Sequence, residues 1–167
     1  MKFPAVNPNL MKAAILLGAT FLLGTGAAGL AQEIGDTHEY RADGETTIET
    51  VNGLRVITLR DNVLVRQNDI ELTGDQAVLE YSLDNQLQTV RLTGSPASFQ
   101  QQADGETAPL SGSSDTINYY AGNESMVEFI GKANFNQPGT TLQCAQIRHV
   151  IESGATSGQA CSGSLTN

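Results

Sequence analysis

Few residues in this chain are equipped to do chemistry. Two histidines, His38 and His149, and two cysteines, Cys144 and Cys161, are its strongest ligand and nucleophile types in 167 residues. The histidines stand far apart without ligand spacing, and two cysteines cannot make a four-cysteine zinc site. No G-x-S-x-G or S-x-x-K stretch offers an activated serine, and no glycine-rich phosphate loop opens a helix. Acids sit at turn signals or alternate along one strand face, as Asp69 and Glu71 do, which is how a solvated edge is built. The expectation is a non-enzyme with no catalytic residue, no metal and no cofactor. His38 reads as solvated in a polar segment, and His149 as a cross-strand neighbour.

The cysteines depend on compartment. Met1 to Lys12 carries two lysines and no acid, and Ala13 to Gln32 carries no charge. The apolar run Ala13–Leu23 followed by small residues reads as a secretory signal. Gly29 and Ala31 satisfy the small-x-small rule, which places cleavage after Ala31. Met11-Lys12 also qualifies as a start. The rival reading is a retained anchor, because twenty uncharged residues can just span a bilayer. In an exported chain Cys144 and Cys161, 17 positions apart, can form a disulfide, worth about 3 kcal/mol in the chain-entropy model. Two free thiols are the other reading.

Nine Lys+Arg against eighteen Asp+Glu give a net charge of −9, the wrong sign for a nucleic-acid partner. Without residues 1–31 both leader lysines go and no acid does, so seven basic residues face eighteen acids and the charge becomes −11.

The elements that must position any site are short strands. Arg55–Leu59, Asn62–Arg66, Asp69–Thr73 and Ala77–Tyr81 are rich in β-branched residues. Turn signals bound them at Asn52-Gly53, Asp61-Asn62, Asn68-Asp69, Gly74-Asp75 and Asp84-Asn85, and continue at Asp104-Gly105 and Gly122-Asn123. Pro96, Pro109 and Pro138 fall in candidate turns or strand ends. Leu59–Gln67 aligns with Leu92–Gln100 and Phe129–Gln137, at offsets of 33 and 37. Leu72–Tyr81 aligns with Leu110–Tyr119 at an offset of 38 and more weakly with Leu142–His149. Repeats of this length mean stacked supersecondary units around one core.

Strict alternation assigns the inward face. Val63 and Val65, Ile70 and Leu72, Leu79 and Tyr81, Val90 and Leu92 share it. So do Ile117 and Tyr119, Val127 and Phe129, and Ala133 and Phe135. Arg66, Glu71, Glu80, Arg91, Asn118, Glu128 and Asn134 alternate to the other side. A plain core and a lipid cavity use the same residue types, so both stay open at this point.

The ordered series Gly94-Ser-Pro-Ala-Ser-Phe-Gln-Gln101, Asp104-Gly105, Gly112 and Asp115-x-Ile117-x-Tyr119 resembles the lipopolysaccharide-transport periplasmic proteins of the LptA/OstA type. Leu72-x-Gly74-Asp75 and Gly131-Lys-Ala133 fit the same scheme, and the resemblance spans about residues 45–151. Ser95 and Lys132 stand where the family has Asn, and Asp61 where it has Gly. In the third copy Cys144-Ala145 replace Gly-Asp and His149 replaces Tyr. The resemblance implies an all-β, open β-jellyroll of stacked antiparallel strands over residues 32–152, with a polar tail over 153–167. It implies periplasmic transport of lipopolysaccharide. Lipid A acyl chains would lie against Val63, Val65, Ile70, Leu72, Leu79, Tyr81, Leu92, Phe99, Ile117, Tyr119, Val127, Phe129 and Phe135. It also implies partners: jellyroll domains of inner- and outer-membrane transport proteins, and further copies joined head to tail as a homo-oligomer. Two alternatives stand beside it, a membrane-anchored LptC-like jellyroll of the same pathway and a structural β domain that binds no lipid. An acidic outer surface repels phosphorylated head groups, so contact is expected through the tails.

Overall fold

The computed structural model describes residues 38–103 and 108–166. The leader with its cleavage site after Ala31 and the Asp104-Gly105 turn lie outside them. The described chain is all β: β1 (His38–Arg41), β2 (Thr46–Val51), β3 (Leu54–Gln67), β4 (Ile70–Tyr81), β5 (Leu87–Gln101), β6 (Leu110–Tyr120), β7 (Met126–Gln137), β8 (Thr140–Val150), β9 (Thr156–Gln159) and β10 (Ser162–Leu165). They form one antiparallel sheet in which β3 to β8 follow each other in sequence order. β1 and β2 share the free edge of β3, and β9 and β10 share the free edge of β8. Each strand approaches only its hydrogen-bonded neighbours, so the sheet stays open.

Every long pairing loses register midway. The breaks fall at Arg60/Val63, Thr73/Gln76, Thr93/Ala97, Ser113/Thr116 and Ile130/Ala133. Bulges of this kind bend a strand, and here they align across the sheet into a spine. The two half-sheets fold onto each other about it. Four ring contacts cross the fold: His38 with Tyr81 at 5.9 Å, Phe99 with Phe129 at 5.9 Å, Phe129 with Phe135 at 6.3 Å, and Phe135 with His149 at 5.2 Å. The first and last strand pairs follow the same rule. Asp43 N donates to Asp61 O and Gly44 N to Arg60 O, carrying the ladder from β1 to β2 across the spine. Ten strands thus make eight V-shaped ones.

This corrects the four short strands expected between Arg55 and Tyr81. They are two long bent strands, β3 and β4. Asp61-Asn62 and Gly74-Asp75 do not reverse the chain; they sit at the spine. Asp61 and Asn62 take the left-handed conformation there (φ 64° and 49°), as Gly131 and Lys132 do in β7 (80° and 48°). Turn-forming residue types serve equally for a bulge that needs positive φ. Among the expected turn signals, the chain reverses at Asn52-Gly53, Asn68-Asp69, Asp84-Asn85 and Gly122-Asn123, and it reverses again at Pro138-Gly139.

The spine is crowded, and its inward positions are small. Ala77, Ala97, Ser114 and Ala133 are buried. A Cβ on Gly74 would meet Leu92, and one on Gly112 would overlap the Phe129 ring, with Cζ at 2.5 Å. In each case the large residue comes from the next strand. At the third equivalent position, Cys144, the next strand brings no large apolar residue. Its side chain instead forms a disulfide with Cys161, at the bend between β9 and β10. The stretch read as a polar tail therefore carries the last V-shaped strand. Its Ser/Gly composition hid it, because backbone pairing and the disulfide hold it where apolar side chains do not.

Candidate functional site

Val63, Val65, Ile70, Leu72, Leu79, Tyr81, Leu92, Phe99, Ile117, Tyr119, Val127, Phe129 and Phe135 all turn inward, and none is more than 8% exposed. They form one cluster between the half-sheets. The same face also carries Ile57, Leu87 and Ile147, all buried. Repeat alignment had the signal for Ile147, which stands five residues after Leu142 as Ile117 stands seven after Leu110; the bulge breaks the count. With this face covered by its own partners, a guest can reach it only where the half-sheets part.

The ends of the V-shaped strands meet along a mouth opposite the spine. A cleft of about 600 Å³ opens there. One rim supplies Asn68 and Asp69; the other supplies Asp84, Asn85 and Glu152; Ile70 and Leu87 lie between. Gln101 Nε2 donates to Asp69 Oδ2 at 2.9 Å, from one strand end to a neighbouring turn of the same rim. Among the described residues no lysine or arginine lines this cleft. The inward cation Arg55 is placed elsewhere, over the Tyr81 ring at 5.1 Å, a cation–π arrangement. Burial pushes the Tyr81 hydroxyl pKa up, with Tyr40 adding to the rise and Arg55 opposing it.

The inward face continues past the core at both ends of the sheet. Tyr40 stands opposite Val65 and Ile48 opposite Ile57, and both are exposed. At the other end Leu165, opposite Thr140, is 81% exposed. His38 heads the same face; its edge-on contact with Tyr81 replaces the solvated position expected of it.

His149 is buried against Phe135, with Nδ1 2.8 Å from Thr156 Oγ1 on β9. Burial lowers its pKa from the usual 6.5. The unfolded chain therefore takes up a proton near pH 6.5 that the folded chain resists. This contribution to stability is complete above pH 6.5 and is lost as pH falls from there to the lower folded value. Melting temperature should decline as pH falls below the usual histidine range, and His149→Leu should remove that part of the slope. An unchanged slope in the variant would rule the group out.

Glu128 departs from the simple alternation. It lies on the outer face yet is buried, because Arg148 and Tyr120 close over it. Arg148 Nη2 donates to Glu128 Oε1 at 2.7 Å and Nε at 3.1 Å, while the Tyr120 hydroxyl donates to Oε2 at 3.2 Å. Burial alone would raise the carboxyl pKa; the hydrogen bonds from Arg148 and Tyr120 and the arginine charge outweigh it and hold it below the usual range.

Comparison with known proteins gives a family and a fold. Residues 39–155 match the family model described as LptA/(LptD N-terminal domain) LPS transport protein. Among curated proteins no significant match is found. Among solved structures, the crystal structure of LptH from Pseudomonas aeruginosa superposes with a TM-score of 0.68 and 20% identity, covering 78% of this chain and 96% of that one. LptH is described as the LptA-homologous periplasmic component of the conserved lipopolysaccharide transport device.

Proposed function

The chain belongs to the family of lipopolysaccharide-transport proteins formed by LptA and the N-terminal domain of LptD, and from that membership we propose that it is a periplasmic carrier whose interior shelters lipid A acyl chains between two membranes. The family is one of transport proteins. The observation that carries the lipid reading is the unbroken apolar face between two half-sheets joined only at the spine. Acyl chains enter at the mouth, past Ile70, Tyr81 and Tyr119, and replace contacts between the halves with contacts to lipid. Each CH₂ taken out of water contributes about 0.8 kcal/mol. A mouth bearing Asp69, Asp84 and Glu152, with no lysine or arginine among its described residues, favours holding the tails and leaving the phosphates outside.

The open ends support assembly. Unpaired strand edges accept another strand, and the exposed inward residues Tyr40 and Ile48 at one end and Leu165 at the other would continue the apolar face into the next copy. A head-to-tail contact that does not close gives a filament, which suits a bridge to jellyroll domains of inner- and outer-membrane partners.

Photo-crosslinkers at Val65, Leu79 and Phe129 test the lipid reading in cells making lipopolysaccharide. An adduct at one or more of these sites is expected. No adduct at any of them, with the protein folded, would identify a closed core that binds no lipid. The uncharged run of residues 13–32 favours a second reading, a retained anchor. A mature N-terminus at Gln32 would exclude it and place residues 1–31 as the cleaved signal.

A further inference from the structure

The two ends of the sheet are built differently. The β1–β2 edge carries Glu39, Asp43, Glu45 and Glu49, with Arg41 the cation among them. The β9–β10 edge carries no charge at all, since nothing after Glu152 is Asp, Glu, Lys or Arg. Edge strands are ordinarily defended by charge or proline, and this one has neither. Two β1–β2 edges repel each other, whereas a β9–β10 edge accepts one without a charge penalty. Its side chains are exposed from Ser157 to Leu165, so side-chain burial does little to hold it.

What holds β9–β10 is covalent. Strands of four residues on each side of a bend are marginal alone. Cys161 sits at that bend, where Ala160 takes positive φ (52°), and is bonded to Cys144 on the neighbouring spine. The surroundings are cut to fit the bridge. A Cβ on Gly158 would overlap Cys161 Sγ and lie 2.8 Å from Cys144 Sγ, and one on Gly163 would meet Leu142 and the Thr141 carbonyl.

We infer that the Cys144–Cys161 disulfide builds the docking edge of this protein: only the oxidised chain presents β9–β10 as a strand to which the β1–β2 edge of a second copy adds. This rests on the edge-to-edge assembly proposed above and adds its control. Reduction by a dithiol transfers two electrons and two protons to the bond, leaving two cysteine thiols and the reagent's own disulfide. The released segment then competes with any incoming strand for β8 while no longer offering an edge of its own. The chain thereby joins others only after it has been oxidised.

The full chain without its leader is compared as oxidised protein, after dithiol reduction, and as the Cys144→Ser/Cys161→Ser variant, by sedimentation across a concentration series. A photo-crosslinker at Ser164 on β10 runs in parallel. Hydrogen exchange over β3–β7 verifies that the body stays folded in all three. The oxidised chain should self-associate and capture a second copy through Ser164. Reduction and the double variant should each weaken association at least tenfold and abolish that capture. Equal association in oxidised and reduced forms overturns the role of the disulfide and leaves edge-to-edge assembly standing. An oxidised chain that stays monomeric at every concentration overturns both.

Discussion

Phe129→Ala should lower stability by about 3–5 kcal/mol, the largest effect of any single truncation in this chain. The ring is fully buried and meets both Phe99 and Phe135 edge-on, and both stand on the opposite half-sheet, so it packs across the fold. Removing it leaves a void at the centre of the fold, next to a spine that cannot collapse because its strands are fixed by their own ladders. Gly112 is its complement. Gly112→Val forces two methyl groups and a Cβ into the space the ring occupies, at a cost of about 1–3 kcal/mol. Combined, the two changes should cost less than their sum, since valine then occupies part of the void, and a coupling of about 1 kcal/mol or more is expected for such neighbours. Urea unfolding with unchanged m-values measures all three. Strict additivity would show that the ring does not lie over Gly112.

The second large effect lies on the outer face. Arg148→Ala should cost about 1.5–3 kcal/mol at neutral pH, since it strands the Glu128 carboxylate under Tyr120. A fully buried pair would lose more, but the Arg148 side chain is 56% exposed. Glu128→Leu should cost less, because the guanidinium it frees can reach water. The Glu128 carboxyl is held below the ordinary range. Its stabilisation is therefore present above the unfolded carboxylate pKa and is lost as pH falls through the folded value. The deficit of Arg148→Ala relative to wild type should accordingly shrink in acid. A deficit that stays constant down to the acid transition would mean that the lost interaction is packing by the arginine stem and not charge.

The inward face was legible from the sequence because β-strands have a period of two and a half-buried sheet must obey it. Val63 to Phe135 could be sorted by parity without knowing where any strand lay. The bends were not legible. Asp61-Asn62 and Gly74-Asp75 are residues of the kind that end strands, and only the partner strands reveal that pairing resumes beyond them. Glu128 looked like a solvated outer residue; its burial depends on Arg148 standing directly opposite in β8 and Tyr120 beside it in β6, which is information about register. The last V-shaped strand left no alternating hydrophobic trace, because Gly158 and Gly163 face the interior where the disulfide takes up the room. The cysteines themselves were visible, but not the reason for their spacing, which is that each marks a bend on adjacent strands.

The spine has one consequence for distance. Every V-shaped strand adds one inter-strand step of about 4.8 Å along the axis of the roll, so eight of them cover roughly 34 Å whatever lies in the interior. Depth and width are set by strand length; reach is set by strand number alone. A row of such copies joined edge to edge would measure a gap in whole protomers, as bricks measure a wall. It would meet a wider gap with another copy, not by stretching the copies it has.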